Sequence, residues 1–370
     1  MQKACVKETR RVIDAVVDVS ITAHEQICMM ECPLCGQSKT GSFPDTVKTS
    51  IQYGNNLEAL VVAFNTVGAV SVNRTHEILG SVFHIPLSTG TIKNMVSRCA
   101  EKIKPALEKI CQELKATAIL HCDETGTRVD GKTRWVHNAS NAQYTYLTLS
   151  EKRGYIGMVE AGILSGYTGI IVHDCWESYW KFNTAMHAVC CAHLLRELNG
   201  IEENYPEQSW ASKFKDLLLK MKKAKDNAIA MGKDSLCKST LYAYKRQFDE
   251  ILSLAYEENP LPDTSTGKRG RKKRGKVLAL IDRLKKYKGE VCLFLENLKV
   301  PFDNNQAERD IRNIKVKTKV SGCFRSSEGA QDYLDLMSFI GSARKLGCNS
   351  FNAVKFAVLR RPLLAFSQGD

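Results

Sequence analysis

With 370 residues, 44% of them hydrophobic and 25% charged, the chain has room for two or three domains and is too apolar for wholesale disorder. Its longest apolar stretches, such as Leu60-Val61-Val62-Ala63-Phe64, run to about five residues. A membrane span needs about 20 and a signal-peptide core about 7–15, so neither is expected. The 14 cysteines, several inside apolar runs, suit reduced thiols in a cytosol better than a disulfide framework. The net charge of +13 is concentrated, since residues 261–320 hold 17 Lys+Arg against 7 Asp+Glu. A local excess of one sign points to a polyanion partner.

Near the start stands a knuckle-like stretch, Cys28-x3-Cys32-Pro33-Leu34-Cys35-Gly36. From Asn55 to about Leu114 the apolar spacing is helical, with Leu57, Leu60, Val61 and Phe64 on one stripe and Ile78, Leu79, Val82 and Phe83 on another. Ile85-Pro86-Leu87-Ser88 interrupts it, and Ser88 is a suitable N-cap for the helix that follows. Two helices around such a turn fit either a helix-turn-helix or a plain helical bundle. After Lys115 the chain reads β-β-β-α-β-α-β-α. The strands are predicted at 118–123, 133–137, 144–149, 169–174 and 188–191, with a helix over 155–164 and another from Leu194. Continuous apolar strands predict a mixed sheet buried between helices. Charged helices follow over 213–256, then a glycine-punctuated loop in which seven of nine residues from Lys268 to Lys276 are basic. Helices are expected again at 278–298, 305–317 and 329–345, and near the C-terminus, with Pro301 as a breaker.

Asp123 and Asp174 each end an apolar strand. If those strands are neighbours, the carboxylates converge, and two anions about 4 Å apart repel by roughly 4 kcal/mol at an effective dielectric near 20. A divalent ion with oxygen ligands, Mg²⁺ or Mn²⁺, would remove that repulsion and serve phosphoryl transfer. The plainer reading is that each Asp caps the element that follows it.

Six blocks carry a family resemblance: Thr40-Gly41-Ser42-Phe43-Pro44; His121-Cys122-Asp123-Glu124-Thr125-Gly126; Val172-His173-Asp174-Cys175-Trp176-Glu177-Ser178-Tyr179; Cys190-Cys191-Ala192-His193-Leu194-Leu195-Arg196-Glu197-Leu198; Val300-Pro301-Phe302-Asp303-Asn304-Asn305-Gln306-Ala307-Glu308-Arg309; and Ser321-Gly322-Cys323-Phe324-Arg325-Ser326. In this order the chain resembles the insertion-sequence 66 family of bacterial DDE transposases from about Arg10 to Leu364. The resemblance implies an RNase H-like α/β core with Asp123, Asp174 and Glu308 as catalytic, metal-holding acids. The 134-residue step from Asp174 to Glu308 then requires a helical insertion. Cys190 and His193 match a signature between the second and third acids and are taken as packing and hydrogen bonding near the site. Family members usually carry two N-terminal cysteine pairs. Here only Cys32 and Cys35 form a good pair, so zinc there would need recruits among Cys5, His24 and Cys28, and loss of the first pair by truncation is expected.

The resulting organisation is a remnant zinc-finger-like region at 1–50, a helical segment at 51–115, a first core part at 116–200, and a helical insertion with the basic loop at 201–300. A last core part at 301–345 and a helical tail at 346–370 complete it. The implied function is metal-dependent end cleavage and strand transfer on terminal inverted repeats and target DNA. The implied agent is a cytoplasmic, nucleoid-associated homo-oligomer working on DNA, with accessory proteins of its own element. A non-catalytic repeat-binding protein from a truncated element and a cellular RNase H-fold nuclease are the alternatives. Arg271, Lys272, Lys273 and Arg274 in the loop, with Arg312 and Lys315 beside Arg309, Lys317 and Lys319, are expected to hold phosphates. For the third acid Glu308 competes with Asp310. Ala307, Ile311 and Ile314 form the stripe facing the sheet, so Glu308 lies at its edge, although with Asn305 as N-cap Glu308 could instead close a capping box.

Overall fold

The structure, a computed structural model, describes residues 9–14, 18–29, 31–260 and 275–367. Two short strands, β1 (Cys28–Met29) and β2 (Lys39–Thr40), pair antiparallel near the start. Four helices follow: α1 (Asn55–Asn65), α2 (Val72–Val82), α3 (Thr89–Lys102) and α4 (Lys104–Ala116). The main sheet comprises β3 (Ile119–Val129), β4 (Lys132–Ser140), β5 (Thr145–Ser150), β6 (Ile170–His173) and β7 (Met186–Val189), with α5 (Tyr155–Glu160) between β5 and β6. Beyond it come α6 (Cys191–Asn204), α7 (Ser209–Ala230), α8 (Lys238–Glu258), α9 (Lys276–Lys286), α10 (Lys288–Glu296), α11 (Asn305–Ser321), α12 (Ser327–Lys345) and α13 (Ser350–Val358).

The strand order is β5-β4-β3-β6-β7. β3, β4 and β5 form an antiparallel meander, and β6 and β7 add in parallel to the free edge of β3. Helices cover both faces, as buried strands require. Leu120, Cys122 and Ile171 join one core with residues of α3, α4, α12 and α13. Val172, Ala188 and Val189 join another with α6 to α10, while Val136 and Leu147 pack on Ile311 and Ile314 of α11.

Four expectations shift. The strand expected at 118–123 continues to Val129, so Asp123 lies within β3, opposite Asn138 of β4, and does not end it. The connection from β6 to β7 contains no α-helix; a single 3₁₀ turn, Tyr179–Lys181, spans it. At a dozen residues the connection is near the shortest that can hold a helix, and the side chains of Tyr179 and Trp180 fill the space instead, stacking or edging on His173. The helix expected at 278–298 divides at Tyr287, whose ring stacks on Trp180 at 3.8 Å. β7 begins and ends two residues earlier than its apolar run suggested, because Cys190 is already the N-cap of α6.

At the N-terminal end Ser88 caps α3, its Oγ accepting the Thr91 N–H at 3.0 Å. Val61, Leu79, Leu87, Ile92 and Met95 give α1, α2 and α3 a small core of their own. The first turns of α3 leave Thr89, Gly90, Lys93 and Asn94 exposed. No described helix is long and apolar enough to cross a membrane.

Candidate active site

β3 and β6 run in the register Ile119↔Ile170, Leu120↔Ile171, His121↔Val172. That offset of 51 residues is also the separation of Asp123 and Asp174. Continued past its last pair, this register sets Asp123 of β3 opposite Asp174, the residue that follows the end of β6, on neighbouring strands whose axes lie about 4.8 Å apart. Strand alternation gives them one face, Asp123 with His121 and Asp174 with Val172, on the side covered by α6 and α11.

Asn304 ties the start of α11, which carries Glu308, to β3. It is 1% exposed, and its Nδ2 donates to the Cys122 carbonyl at 2.7 Å. That leaves Oδ1 as the acceptor for His121 Nδ1–H at 3.0 Å. Its backbone N–H points at Cys190 Sγ, 3.1 Å away, and its carbonyl accepts the Glu308 N–H. Asn138 Nδ2 adds a bond to the Ala307 carbonyl at 3.1 Å. The start of α11 is thus fastened across β3 and β4, one turn from Glu308. The capping-box reading of Glu308 is corrected: Asn304, not Asn305, is the N-cap, and the Glu308 carboxylate accepts from Arg196 Nη2 at 2.9 Å instead. Asp310 is committed elsewhere, to Lys345 Nζ at 2.7 Å and Gln306 Nε2 at 3.0 Å. Ala307, Ile311 and Ile314 are buried as the stripe predicted.

Burial, then the charge of Glu124, then the fields of Asp174 and Glu308 push the Asp123 carboxyl up to about 7, against the pull of the Glu124 N–H. The charges of Asp174 and Glu308 are thus felt at Asp123, although among the described residues the three acids do not form a group with donor atoms within 4.8 Å of one another, and Glu308 is paired with Arg196. Asp174 Oδ1 accepts the Trp176 N–H at 2.9 Å, across Cys175, which has a φ of 72°. A non-glycine residue in the left-handed region directly after the second acid is local strain of the sort that clusters at functional sites. The Cys175 N–H donates to His173 Nδ1 at 3.1 Å. His173 therefore carries its proton on Nε2 and donates to His187 Nδ1 at 3.2 Å. Burial holds both imidazoles below their ordinary range and so neutral.

A family model, Transposase IS66 family, matches residues 50–332. The chain belongs to this family. It is also 24% identical over 372 residues to an uncharacterized protein, y4hP, of Sinorhizobium fredii (strain NBRC 101917 / NGR234), covering 92% of this chain and 64% of that one. The chain therefore spans less than two thirds of that relative's length.

The remaining expected residues of this IS66-family chain divide unevenly. Cys190 and His193 meet Glu308, with His193 Nδ1 3.7 Å from Glu308 Oε1. Arg312 and Lys315 are exposed on α11. Lys317 is not available for phosphates: it is buried, and its Nζ donates to the carbonyls of Asn65 at 2.9 Å and Val70 at 3.0 Å. Arg271, Lys272, Lys273 and Arg274 lie outside the described residues, as does Cys5. Cys32 and Cys35 flank a tight turn closed by Gly36 N–H to the Cys32 carbonyl at 2.8 Å, and the amides of Leu34 and Cys35 hold the Cys32 thiol below its ordinary value. Among the described residues no group of three metal donors includes either cysteine.

Sequence reasoning passed over four residues here. Asn304 and Arg196 sit inside the quoted blocks, but their partners are far away in the chain. Glu124 is directly beside Asp123 yet on the opposite face of β3. Its side chain, 1% exposed, accepts from Arg153 at 3.2 and 2.9 Å and from Tyr179 Oη at 2.8 Å. The Arg153 guanidinium lies between Trp135 and Trp176, 4.9 and 4.3 Å from their rings.

Proposed function

We propose that this chain is a DNA transposase that cleaves the ends of its element and joins a 3′-hydroxyl to target DNA. Its RNase H-like core would use Asp123, Asp174 and Glu308 to hold Mg²⁺ or Mn²⁺. The observation carrying this reading is the register match of Asp123 with Asp174, together with the Asn304 fastening that ties the start of α11, one turn from Glu308, to β3. The meander followed by two parallel strands supports the RNase H-like assignment, and membership of the IS66 family supports the substrate class. The bound ions would supply Lewis acidity toward the scissile phosphate and the attacking oxygen.

The chain's own residues do the rest. Asn304 keeps Glu308 in place. The strained turn at Cys175 aims Asp174, and the neutral His173 anchors that turn through the Cys175 N–H. Arg196 neutralises Glu308 until a cation replaces it. Arg312 and Lys315, the exposed start of α3, and the loop residues Arg271, Lys272, Lys273 and Arg274 bind DNA phosphates. We assign the working form to a homo-oligomer on DNA in the bacterial cytoplasm, aided by accessory proteins of the same element.

A cleavage assay with Mg²⁺ on DNA bearing the element's terminal repeats tests the assignment. Asp123→Asn and Glu308→Gln should each lower the rate about 1000-fold or more while DNA binding persists, and Asp310→Asn should retain most activity. An active Glu308→Gln with an inactive Asp310→Asn would move the third acid. Wild-type binding without cleavage would leave a repeat-binding protein. Replacing Arg271, Lys272, Lys273 and Arg274 by Ser should flatten the slope of log K against log salt by about 3 to 4, at about 0.9 per phosphate contact. An unchanged slope would make the loop a solvated linker.

A further inference from the structure

Cys190, His193 and Glu308 bring a thiol, an imidazole and a carboxylate together, their donor atoms all within 4.8 Å of one another. The first two lie three residues apart at the start of α6, and the third arrives from α11, over a hundred residues later. Two details of the group concern more than packing. Cys190 Sγ, buried at the N-cap of α6, faces several backbone N–H groups, Asn304 at 3.1 Å and also those of His193 and Ala192. Burial pushes the Cys190 thiol up to about 11, and the amides aimed at sulfur pull the other way, toward the thiolate in which cysteine binds metals, a form that a bound cation would complete. His193 Nδ1 is buried and has no hydrogen-bond partner among the described residues, although Glu308 Oε1 stands 3.7 Å away. A buried ring nitrogen without a partner is disfavoured, and a ligated ion would satisfy it.

We propose that Cys190, His193 and Glu308 form a second cation site, selective for a borderline-soft divalent ion of the Zn²⁺ class, distinct from the all-carboxylate site and sharing Glu308 with it. With metal–donor distances of about 2.0–2.3 Å and tetrahedral angles, neighbouring donors stand about 3.3–3.6 Å apart. The His193–Glu308 separation is already close to that, and small rotamer changes bring Cys190 into range. Three protein donors leave a fourth position to water. Mg²⁺ is excluded by its demand for oxygen ligands, whereas a thiolate–imidazole–carboxylate set suits Zn²⁺ or Co²⁺. The resident competitor is Arg196, 2.9 Å from Glu308 Oε1, but its side chain is 56% exposed and can swing into solvent. Occupation would withdraw Glu308 from the catalytic ions, so zinc would act as a brake on the reaction; this consequence rests on the function proposed above, but the binding does not.

Co²⁺ is the probe, added to the full chain in a Cys32→Ser, Cys35→Ser background so that the N-terminal pair cannot contribute. The expected result is about one equivalent bound with a near-ultraviolet thiolate-to-cobalt charge-transfer band. Cys190→Ser should abolish the band, His193→Ala should weaken binding about tenfold or more, and Asp123→Asn should leave the band in place. Because Cys190 is buried, His193→Ala and Glu308→Gln, checked for native thermal melting, provide the reading if Cys190→Ser does not fold. Absence of the band, its survival in folded Cys190→Ser, undiminished affinity in both other variants, or its loss in Asp123→Asn would overturn the site. In the Mg²⁺ cleavage assay Zn²⁺ should inhibit in competition with Mg²⁺. A chain that binds Co²⁺ as described but cleaves nothing would leave this site standing and remove the transposase reading.

Discussion

The part of the sheet that carries Asp123 and Asp174 and the expected helical insertion, α7 to α10, are built on opposite terms. In the insertion, Trp210, Phe214, Phe248, Leu217, Leu218 and Leu284 are all buried, and Phe214 meets Phe248 edge-on at 4.7 Å. Its charges pair at the surface, as in Lys288 with Asp249 and Arg246 with Glu250. The acid edge instead keeps several carboxylates half-buried together, a histidine nitrogen without a partner, and a cysteine at positive φ. The insertion satisfies most of its local and tertiary preferences together, a buried Arg283 Nε without a partner aside, whereas the acid edge concentrates groups that folding alone disfavours, as the function proposed above requires.

Opposite stability effects in the two regions would sharpen this contrast. Trp210→Ala, in the insertion, should lower unfolding stability by about 3–5 kcal/mol in a denaturant titration, by emptying a fully buried indole site. A loss below about 1 kcal/mol would mean that the insertion core is loosely packed. Asp123→Asn should do the reverse and raise the melting temperature by a few degrees at neutral pH. The sign follows from the shift: the unfolded carboxyl ionises near 3.8 and the native one near 7. Between those values the native state keeps a proton that the unfolded chain releases, so wild-type stability falls as pH rises through that window. The advantage of Asp123→Asn should therefore be near zero at about pH 4 and full above about pH 7; an advantage independent of pH would point to packing instead. The smallest effect concerns Lys317, which burial lowers to about 8 from an ordinary 10.5. Between those values the unfolded chain holds a proton that the native state has lost, so this contribution to stability rises with pH. Relative to Lys317→Met, the wild type should gain about 1 to 3 kcal/mol from pH 8 to 10.5, and parallel pH curves for the two proteins would contradict it.

Of the acid edge, the sequence disclosed two apolar runs reaching carboxylates 51 residues apart; that the runs are parallel neighbours with that same offset is visible only in the pairing, and β3 continues past Asp123 to Val129. The apolar stripe of α11 separated Glu308 from Asp310, and extended by one step of three from Ile314 it reaches Lys317, so its burial was implicit in a helix read only for charge. What spacing does not disclose is contact between distant segments. The Asn304 bond to Cys122 joins residues 182 apart, and nothing in either local pattern names its partner. Likewise nothing in the Cys190–His193 signature names Glu308, which α11 brings beside them. The β6–β7 connection was misjudged for a different reason: aromatic packing around His173, not backbone periodicity, determines its course.

α11 is held at both ends. Asn304 and Asn138 fix its beginning to β3 and β4. Towards its far end Lys317 donates to the turn between α1 and α2, Ser321 Oγ binds the Ala69 carbonyl in that same turn, and Arg74 of α2 donates to the Val320 carbonyl at 3.0 Å. A helix of 17 residues is a rod of about 25 Å. Its length is therefore the ruler that spaces the three-helix unit from the acids. One residue inserted between Arg309 and Val316 would turn one anchored end about 100° against the other, and the two sets of anchors could not both be met. Seven residues would nearly restore the phase but separate the ends by about 10 Å more. Along this stretch the exposed side chains can be exchanged, whereas Ile311 and Ile314 are held by the core and the residue count is fixed.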